Sequence, residues 1–351
     1  MHTAAAAATL ELMADADIAL SLVIPVYNEE KVLPKLFAEL QRVLAGCLKS
    51  YGPVEVVLIN DGSRDTSWEL IAAQCERDAR FVGLNFSRNF GHQPALVAGL
   101  QAARGAAVVS LDADLQDPPE VIPQMLDAWR QGYDVVYATR KDRGQESWSK
   151  RVTAKLFYLI IEKISGVPIP RNTGDFRLLS RRALVELGKL HETHRFLRGL
   201  VPWIGFPQMQ IFYDRGDRVA GTTHYPMHKM LLLAFDGIAS MSKTPLRLAY
   251  ILSLALFSVF LGYIVYVLYD HFVRGGQLVP GWTSIMSAIT IFGTIQLLLF
   301  GLFGEYLGRI YEQVKQRPLY IIQEIKRAEA GGQTASSAAN PKSRPDLAIQ
   351  S

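Results

Sequence analysis

Two carboxylates one residue apart follow an apolar run that is typical of a buried strand. The run covers residues 106–110, and the carboxylates belong to Asp112 and Asp114. Because alternate residues at an extended strand end point the same way, both side chains can converge on one divalent cation. Oxygen ligands of this kind suit Mg²⁺ or Mn²⁺, which keep several waters and also bind substrate phosphates. Acidic pairs also occur in solvated turns, so the pair needs support from the rest of the chain.

Apolar runs and helical periodicities alternate over the first half of the chain. The predicted strands are 20–25, 54–59, 81–86, 106–110 and 133–138, and the predicted helices are 29–44, 66–77, 92–103 and 119–131. This alternation predicts an α/β fold, with a Rossmann-like, mainly parallel sheet and helices on both of its faces.

Three polar segments fall at the carboxyl ends of predicted strands. They are residues 25–29, 60–63 and 112–116. Ligands of open parallel sheets bind beyond the carboxyl ends of the strands, so these segments predict one shared site. A phosphate-bearing ligand held through a metal would fit that site.

Individual residues of these segments allow more than one role. Tyr27 could stack on a nucleobase or be a half-buried loop aromatic, and Asp61 could accept from a base N–H or be a turn residue. Glu29 could contact ligand or supply the acidic first turn of a helix. Gly62 would let the chain turn sharply, and Ser63, like Asp65, is predicted to cap the following helix.

The composition suits an intracellular protein with one large or two smaller domains. The 351 residues carry a net charge of +4, and the two cysteines, Cys47 and Cys75, lack metal-ligand spacing, which indicates a reducing compartment. Residues 1–18 contain no Lys or Arg, so we expect a disordered tail rather than a signal peptide. Residues 331–351 are also predicted to be disordered.

Two late apolar runs predict membrane helices. Residues 246–269 and about 282–307 each supply the roughly 20 apolar residues that a bilayer-spanning helix needs, within a membrane unit at 246–308. A pair of buried core helices is the alternative. Glu305 lies four residues before Arg309, which predicts an ion pair along the helix rather than a transport site.

The basic residues around these runs predict their orientation. Lys and Arg are frequent before the first run and after the second, whereas the loop between the runs contains only Arg274. The positive-inside rule therefore places both termini and the preceding domain in the cytoplasm. The apolar segment 227–245 is predicted to lie in the membrane interface, and 309–330 is predicted to be a cytosolic juxtamembrane segment.

Several ordered motifs resemble the family 2 glycosyltransferases, and more narrowly the polyprenyl-phosphate glycosyltransferases. That group includes dolichyl-phosphate mannose synthase, bactoprenol glucosyltransferases and the transferase for formylated aminoarabinose. The motifs are SLVIPVYNEE at 21–30, INDGSRD at 59–65, NFSRNFG at 85–91, SLDADLQDPP at 110–119 and GEYLGRIY at 304–311. The resemblance extends from about residue 19 to residue 322 and includes both apolar runs.

The resemblance implies a GT-A fold over residues 19–226 and an inverting, metal-dependent sugar transfer from a nucleotide sugar to a polyprenyl phosphate. Glucose on UDP and undecaprenyl phosphate are the expected substrates, with mannose, galactose, formylated aminoarabinose and N-acetylated sugars left open. The implied setting is the bacterial inner membrane, as a multi-pass homo-oligomer that could be a tetramer. No nucleic-acid partner is expected.

The resemblance also assigns residues. Pro25, Tyr27, Glu29 and Asp61 would bind the nucleoside, and Asp112 would contact the donor. Asp114 and Gln116 would ligate Mg²⁺ or Mn²⁺.

For the acceptor phosphate, the resemblance points to Arg140 and Arg151. Asp175, in the block 174–178, could orient or activate the nucleophile, or it could form a structural salt bridge with Arg177. Lys150 and Lys155 fit a solvated basic face near anionic lipid.

One segment departs from the family pattern. The family has Gly-x-Ser-Lys, with the Lys on the donor diphosphate, where this chain has GTTHY at 221–225. His224 takes the place of that Lys. Either a protonated His224 contacts the diphosphate, or Arg218 or Lys229 compensates for the missing charge.

Two other functions fit parts of the sequence. A processive polysaccharide synthase of the same superfamily is disfavoured because the chain lacks a Gln-x-x-Arg-Trp motif and has too few spans for a polymer channel. A non-catalytic membrane scaffold with a transferase fold is disfavoured by the intact set of Asp112, Asp114 and Gln116.

If a protonated His224 contacts the donor diphosphate, activity should fall at alkaline pH as the imidazole loses its proton. Initial rates measured from about pH 6 to 8.5 test this expectation. A flat profile would contradict it.

Overall fold

The computed structural model describes residues 18–140, 173–193, 195–214, 244–274 and 281–328. Eight strands in this part of the chain form one sheet. The strands are β1 (Leu20–Val26), β2 (Val54–Asn60), β3 (Phe81–Phe86), β4 (Ala107–Ser110), β5 (Val135–Arg140), β6 (Thr173–Ser180), β7 (Gln208–Tyr213) and β8 (Ile322–Arg327). The α-helices are α1 (Leu33–Ala45), α2 (Ser67–Arg77), α3 (His92–Ala102), α4 (Ile122–Arg130), α5 (Arg181–Gly188), α6 (Leu197–Trp203), α7 (Thr244–Arg274) and α8 (Trp282–Lys315).

The strand order is β7-β5-β6-β4-β1-β2-β3-β8. Strands β4, β1, β2 and β3 are parallel neighbours, and β5 pairs with β7 in parallel. Only β6 and β8 run antiparallel to their neighbours, so the other six strands share one direction. The predicted α/β domain with a mainly parallel sheet is confirmed.

Two apolar layers cover the sheet. One layer packs α1, α2 and α4 against it, and the other packs α3, α5 and α6. All seven residues of β1 are buried, as expected for a central parallel strand with a helical layer on each face. The prediction of helices on both faces is therefore confirmed.

The predicted elements up to residue 140 are present, with shifted ends. Helix α1 begins at Leu33 rather than at residue 29, because the backbone N–H groups of Glu29 and Glu30 bond to side chains after β2. Strands β6, β7 and β8 were not predicted. Their pairing partners lie far away in sequence. Strands β7 and β8 extend the two edges of the sheet and β6 lies between β4 and β5, and no local pattern specifies any of these positions.

The apolar runs near the carboxyl terminus form the long helices α7 and α8. Within the described residues, one helical stretch, Ser284–Lys315, is long and apolar enough to cross a membrane, and an 18-residue window of it has a mean hydropathy of 2.0. Ala249–Tyr263, in α7, is a shorter apolar stretch. Two membrane-spanning helices are therefore not confirmed. The predicted ion pair is present, since Arg309 Nη2 lies 2.8 Å from Glu305 Oε1.

The described part of the segment predicted to be a cytosolic juxtamembrane stretch, residues 309–328, contains the end of a helix and a strand. Its first part continues α8 to Lys315, and its last part is β8, which extends the sheet beside β3. The Tyr320 ring stacks on Phe86 with centroids 5.1 Å apart, and its hydroxyl donates to Gln101. The chain that leaves α8 is thus fixed to the α/β domain, which limits how that domain can turn relative to α8.

Gly99 provides a test of packing between α3 and the sheet. A Cβ atom added there would lie 2.3 Å from Cγ1 of Val23 and 2.5 Å from Cδ1 of Ile59. We expect Gly99→Ala to destabilise the protein by about 1–3 kcal/mol because of overpacking, measured by thermal unfolding in detergent. Gly308→Ala in α8 is the matched control, since a Cβ there meets nothing within 4 Å. Equal melting of the two variants would contradict this account of the core.

Candidate active site

Loops that follow β1, β2 and β4 meet at the carboxyl edge of the sheet and enclose a cleft of about 430 Å³. Six residues predicted for the site line it together. They are Pro25, Tyr27, Glu29, Asp61, Asp112 and Asp114. The parallel register of β1 with β2 and with β4 brings the three loops to one edge, as the sequence reasoning requires.

The loop after β1 is fastened to the loop after β2. Asn28 has a φ of 54°, its side chain accepts from the Arg64 N–H at 2.8 Å, and its own N–H donates to Ser63 Oγ at 2.9 Å. Ser63 therefore ties the two loops together. Asp65 accepts from the Ser67 N–H, but Thr66 is the N-cap residue of α2, so Asp65 precedes the cap. This fastening leaves the Tyr27 ring 43% exposed at the cleft.

Asp61 holds a third loop in place. Its two carboxylate oxygens accept from the backbone N–H groups of Phe90 and Gly91, at 2.7 and 3.0 Å. Burial raises the pKa of Asp61 above its usual range, and these two donors oppose that shift. Next to it, Gly62 has a φ of 61°, and a Cβ there would lie 2.3 Å from the Arg88 backbone. Only glycine fits this turn without strain.

The acidic loop after β4 has an unusual backbone. Leu115 has a φ of 56°, in the left-handed region that a bulky residue rarely adopts. Strain of this kind concentrates at functional sites. Asp112 and Asp114 face the cleft before this turn, and the buried Gln116 and Asp117 follow it.

Negative charge accumulates in this loop. Burial raises the pKa of Asp112 to about 6, with His92 opposing and the carboxylates of Asp175, Asp117 and Asp114 adding to the rise. Each of those carboxylates favours the protonated form of Asp112. The loop therefore has an electrostatic requirement for positive charge.

The side-chain oxygens of this loop fit a divalent cation with two protein ligands, Asp114 and Gln116. Gln116 Oε1 is buried and has no hydrogen-bond partner among the described residues, so it is an acceptor in need of a donor or a cation. Within that same part of the chain, no group of three or more His, Cys, Asp or Glu residues is arranged to hold a metal. Mg²⁺ is commonly held by one or two carboxylates together with substrate phosphates, so two protein ligands are sufficient.

His92 is a site residue that the sequence reasoning missed. It begins α3, lines the cleft, and places Nε2 3.3 Å from Asp175 Oδ2 and 3.7 Å from Asp112 Oδ1. The hydrogen bond to Asp175 raises the pKa of His92, against the effect of burial. Its position directly after the motif at 85–91 was the available signal.

Asp175 forms the salt bridge that the sequence left open as one of two roles. Arg177 Nη2 lies 2.8 Å from Asp175 Oδ1, and Arg198 Nη2 lies 3.3 Å from Oδ2. Burial opposes ionisation of Asp175, but His92 and the two arginines hold its pKa well below the usual range. A carboxylate held in this way is a weak base, so its chemistry is to orient His92 and the arginines.

Arg140 ends β5, beside the acidic loop. Its Nη2 lies 3.7 Å from Asp117 Oδ1, and its Nε–H donates to the Tyr213 hydroxyl at 3.3 Å. The other predicted cationic site residues, Arg151, Arg218 and His224, lie outside the described residues, as do Lys150, Lys155 and Lys229.

Comparisons with known proteins identify the family of the chain. Residues 21–188 match the family glycosyl transferase family 2. The glycosyltransferase YkcC of Bacillus subtilis (strain 168) is 43% identical over 304 residues, which are 87% of this chain and 93% of that protein. The bactoprenol glucosyl transferase of Shigella phage SfII is 42% identical over 308 residues, 88% of this chain and 98% of that protein.

Among solved structures, glucosyl-3-phosphoglycerate synthase from Mycobacterium tuberculosis, in complex with Mn²⁺, UDP-glucose and phosphoglyceric acid, has a TM-score of 0.43. It is 21% identical, over 67% of this chain and 82% of that chain. The family match and the sequence relatives show that the chain is a sugar-transferring enzyme. The chain belongs to glycosyl transferase family 2, and the predicted resemblance is confirmed.

Asp61→Asn tests the loop-holding role of Asp61. The amide NH₂ would face a backbone N–H, which should cost about 1–3 kcal/mol of stability and shift the loop that lines the cleft. We expect a lower melting temperature and a higher donor KM. Asp127→Asn, at an exposed carboxylate on α4, is the matched control and should change neither. Wild-type stability and donor KM in Asp61→Asn would refute the role.

Proposed function

We propose that this glycosyltransferase transfers a sugar from a nucleotide sugar to the phosphate of a membrane polyprenol. The observation that carries the proposal is the single cleft in which Tyr27, Asp61 and the acidic pair lie together, with Arg140 beside them at the same sheet edge. The bactoprenol glucosyl transferase relative, aligned over nearly its whole length, supports a polyprenyl phosphate as acceptor.

The donor half of the cleft suits a nucleoside diphosphate sugar. The exposed Tyr27 ring can stack on a base, and Pro25 and Glu29 flank it. Asp61 uses one lone pair of each oxygen on a backbone N–H, so a base N–H can still be accepted. UDP-glucose is the donor we favour, because the named relative is a glucosyl transferase.

Asp114 and Gln116 would hold Mg²⁺ or Mn²⁺, and Asp112 would contact the donor. When bound, such an ion neutralises charge that develops on a departing diphosphate. His92 lies at the rim of the same loop, its pKa is raised by the hydrogen bond to Asp175, and it is proposed to support the same anionic group from the protein side. Arg218 or His224 is proposed to add to this charge.

The nucleophile needs little activation. An acceptor phosphate is already an anion, so attack on the anomeric carbon requires position more than proton removal. Arg140 and Arg151 are proposed to bind that phosphate, and a single direct displacement would invert the anomeric centre. Asp175, with its pKa held low, would keep His92 and Arg198 oriented toward the cleft.

The membrane is the proposed location of the acceptor. We propose that α7 and α8 both cross the bacterial inner membrane, with residues 227–245 in the interface, and that the α/β domain and both termini are cytoplasmic. The sparse basic charge between the two apolar runs, compared with their outer flanks, supports this orientation. We also propose a homo-oligomer, since two helices per chain leave much apolar surface.

The direct experiment is a transfer assay with full-length protein in detergent, undecaprenyl phosphate, Mg²⁺ or Mn²⁺, and a panel of UDP- and GDP-sugars. Mass spectrometry of the lipids identifies the product. We expect one sugar-phosphate lipid, and its loss after chelation with recovery on adding metal back. Absence of a lipid product with every donor would contradict the proposal.

Asp114→Asn should lower this activity by about 100-fold or more, because it removes a charge that the transition state requires. The asparagine can still accept from the Gln116 N–H, which Asp114 Oδ1 accepts at 3.1 Å, so the loop should keep its shape. Asp127→Asn again serves as the matched control. Full activity in Asp114→Asn would favour a non-catalytic or metal-independent role for the acidic pair.

A further inference from the structure

The guanidinium of Arg140 is held by side chains from two other elements. Arg140 and Tyr213 are register partners at the ends of β5 and β7, and the Arg140 Nε–H donates to the Tyr213 hydroxyl. That hydroxyl in turn donates to Asp117 Oδ1, which also lies 3.7 Å from Arg140 Nη2. The three groups form one directional chain from the arginine to the acidic loop.

Both supporting residues are buried, whereas the arginine reaches open space. Asp117 is 1% exposed and Tyr213 is 5% exposed, while the Arg140 side chain is 30% exposed. Asp117 Oδ2 is also buried and has no hydrogen-bond partner among the described residues. A buried carboxylate that is only partly satisfied is costly, and an apolar residue of similar size would often serve stability better. The arrangement therefore indicates a purpose other than stability.

The space around the guanidinium is also specific. A Cβ atom added at Gly174 would lie 3.2 Å from Arg140 Nη2, so the absence of a side chain there makes room for the arginine. Gly174 precedes Asp175, so β6 brings both the space for the Arg140 guanidinium and the Asp175 carboxylate to the same edge of the sheet. Burial raises the pKa of Tyr213 to about 12, so the phenol keeps its proton and remains the donor to Asp117.

We propose that Asp117 and Tyr213 are positioning residues for Arg140, and that they hold its guanidinium toward the phosphate monoester of the acceptor. This assignment rests on the proposed function. Asp117 directly follows Gln116, so one loop carries both the proposed metal ligands and, next to them, the carboxylate that supports Arg140. The loop thereby sets the distance between the donor and acceptor halves of the cleft.

Tyr213→Phe removes only the hydroxyl and keeps the ring that packs edge-on against Phe176. We expect the KM for undecaprenyl phosphate to rise about tenfold, the order for one hydrogen bond to a charged group, with the donor KM unchanged. Equilibrium binding of undecaprenyl phosphate, followed by tryptophan fluorescence, should weaken by the same factor. Asp117→Asn should act in the same direction.

The chain offers a matched control. Tyr51 also donates to an aspartate, Asp127, at 2.9 Å, but on the exposed side of α4 and away from the cleft. Tyr51→Phe should leave both KM values at wild-type levels. If Tyr213→Phe behaves like Tyr51→Phe, or if it lowers the melting temperature and changes both KM values equally, the pair is only structural and the assignment is wrong.

A double-mutant cycle isolates the path through Arg140. If the hydroxyl acts through the arginine, Tyr213→Phe added to Arg140→Lys should raise the acceptor KM no further than Arg140→Lys alone. Additive effects would overturn the assignment. If the wild-type protein forms no sugar-phosphate lipid, both the proposed function and this inference are wrong. If the wild-type protein is active and Tyr213→Phe leaves the acceptor KM unchanged, only the inference is wrong.

Discussion

The repulsion among carboxylates at one edge of the sheet is the constraint on which the site depends. Asp61, Asp112, Asp114, Asp117 and Asp175 all lie at this edge, partly or fully removed from water. Each charge left unpaired in such a place is costly, so every one of them needs a donor or a cation. The structure meets that need with backbone N–H groups at Asp61, with His92 and two arginines at Asp175, and with Tyr213 and Arg140 at Asp117. Burial is the largest cause of the raised pKa of Asp112 and neighbouring carboxylates add to it, so the cations near Asp112 among the described residues do not offset both effects.

The strand order explains how these groups meet. Strand β6 lies between β4 and β5 and runs antiparallel to both, so its first residues lie beside the last residues of its neighbours. Asp175 therefore reaches the edge at which β4 ends, although it lies more than fifty residues further along the chain. Arg140 arrives from β5 on the other side of β6. The antiparallel strand thus joins the acidic loop to the cationic groups that the acceptor would require.

The last described strand has a comparable effect on the domain as a whole. Strand β8 follows α8 and extends the sheet beside β3, with Lys326 paired to Glu76 at 2.8 Å and Trp68 donating to Glu324. A catalytic domain tethered only by a flexible chain would turn freely. Here the ladder of hydrogen bonds and the Tyr320 stack attach the chain that leaves α8 to the domain, so the two are not joined by a flexible tether alone.

The sequence by itself determined the class of the fold and the identity of the central loops. The hydrophobic periodicity and the lengths of the segments identified β1 to β5 with their helices, because these signals are local. The rule that ligands bind beyond the ends of parallel strands then predicted that Tyr27, Asp61, Asp112 and Asp114 share one cleft. At the site, only the tertiary structure decided which charges pair. His92, Arg198, Asp117 and Tyr213 gain their roles from contacts across 20 to 96 positions of sequence, and two of the residues involved, Asp175 and Tyr213, lie on strands that no local pattern predicted. A common side chain gains a functional role when folding buries it beside a charge. The free-energy cost of that burial depends on its spatial neighbours, which the sequence pattern does not specify.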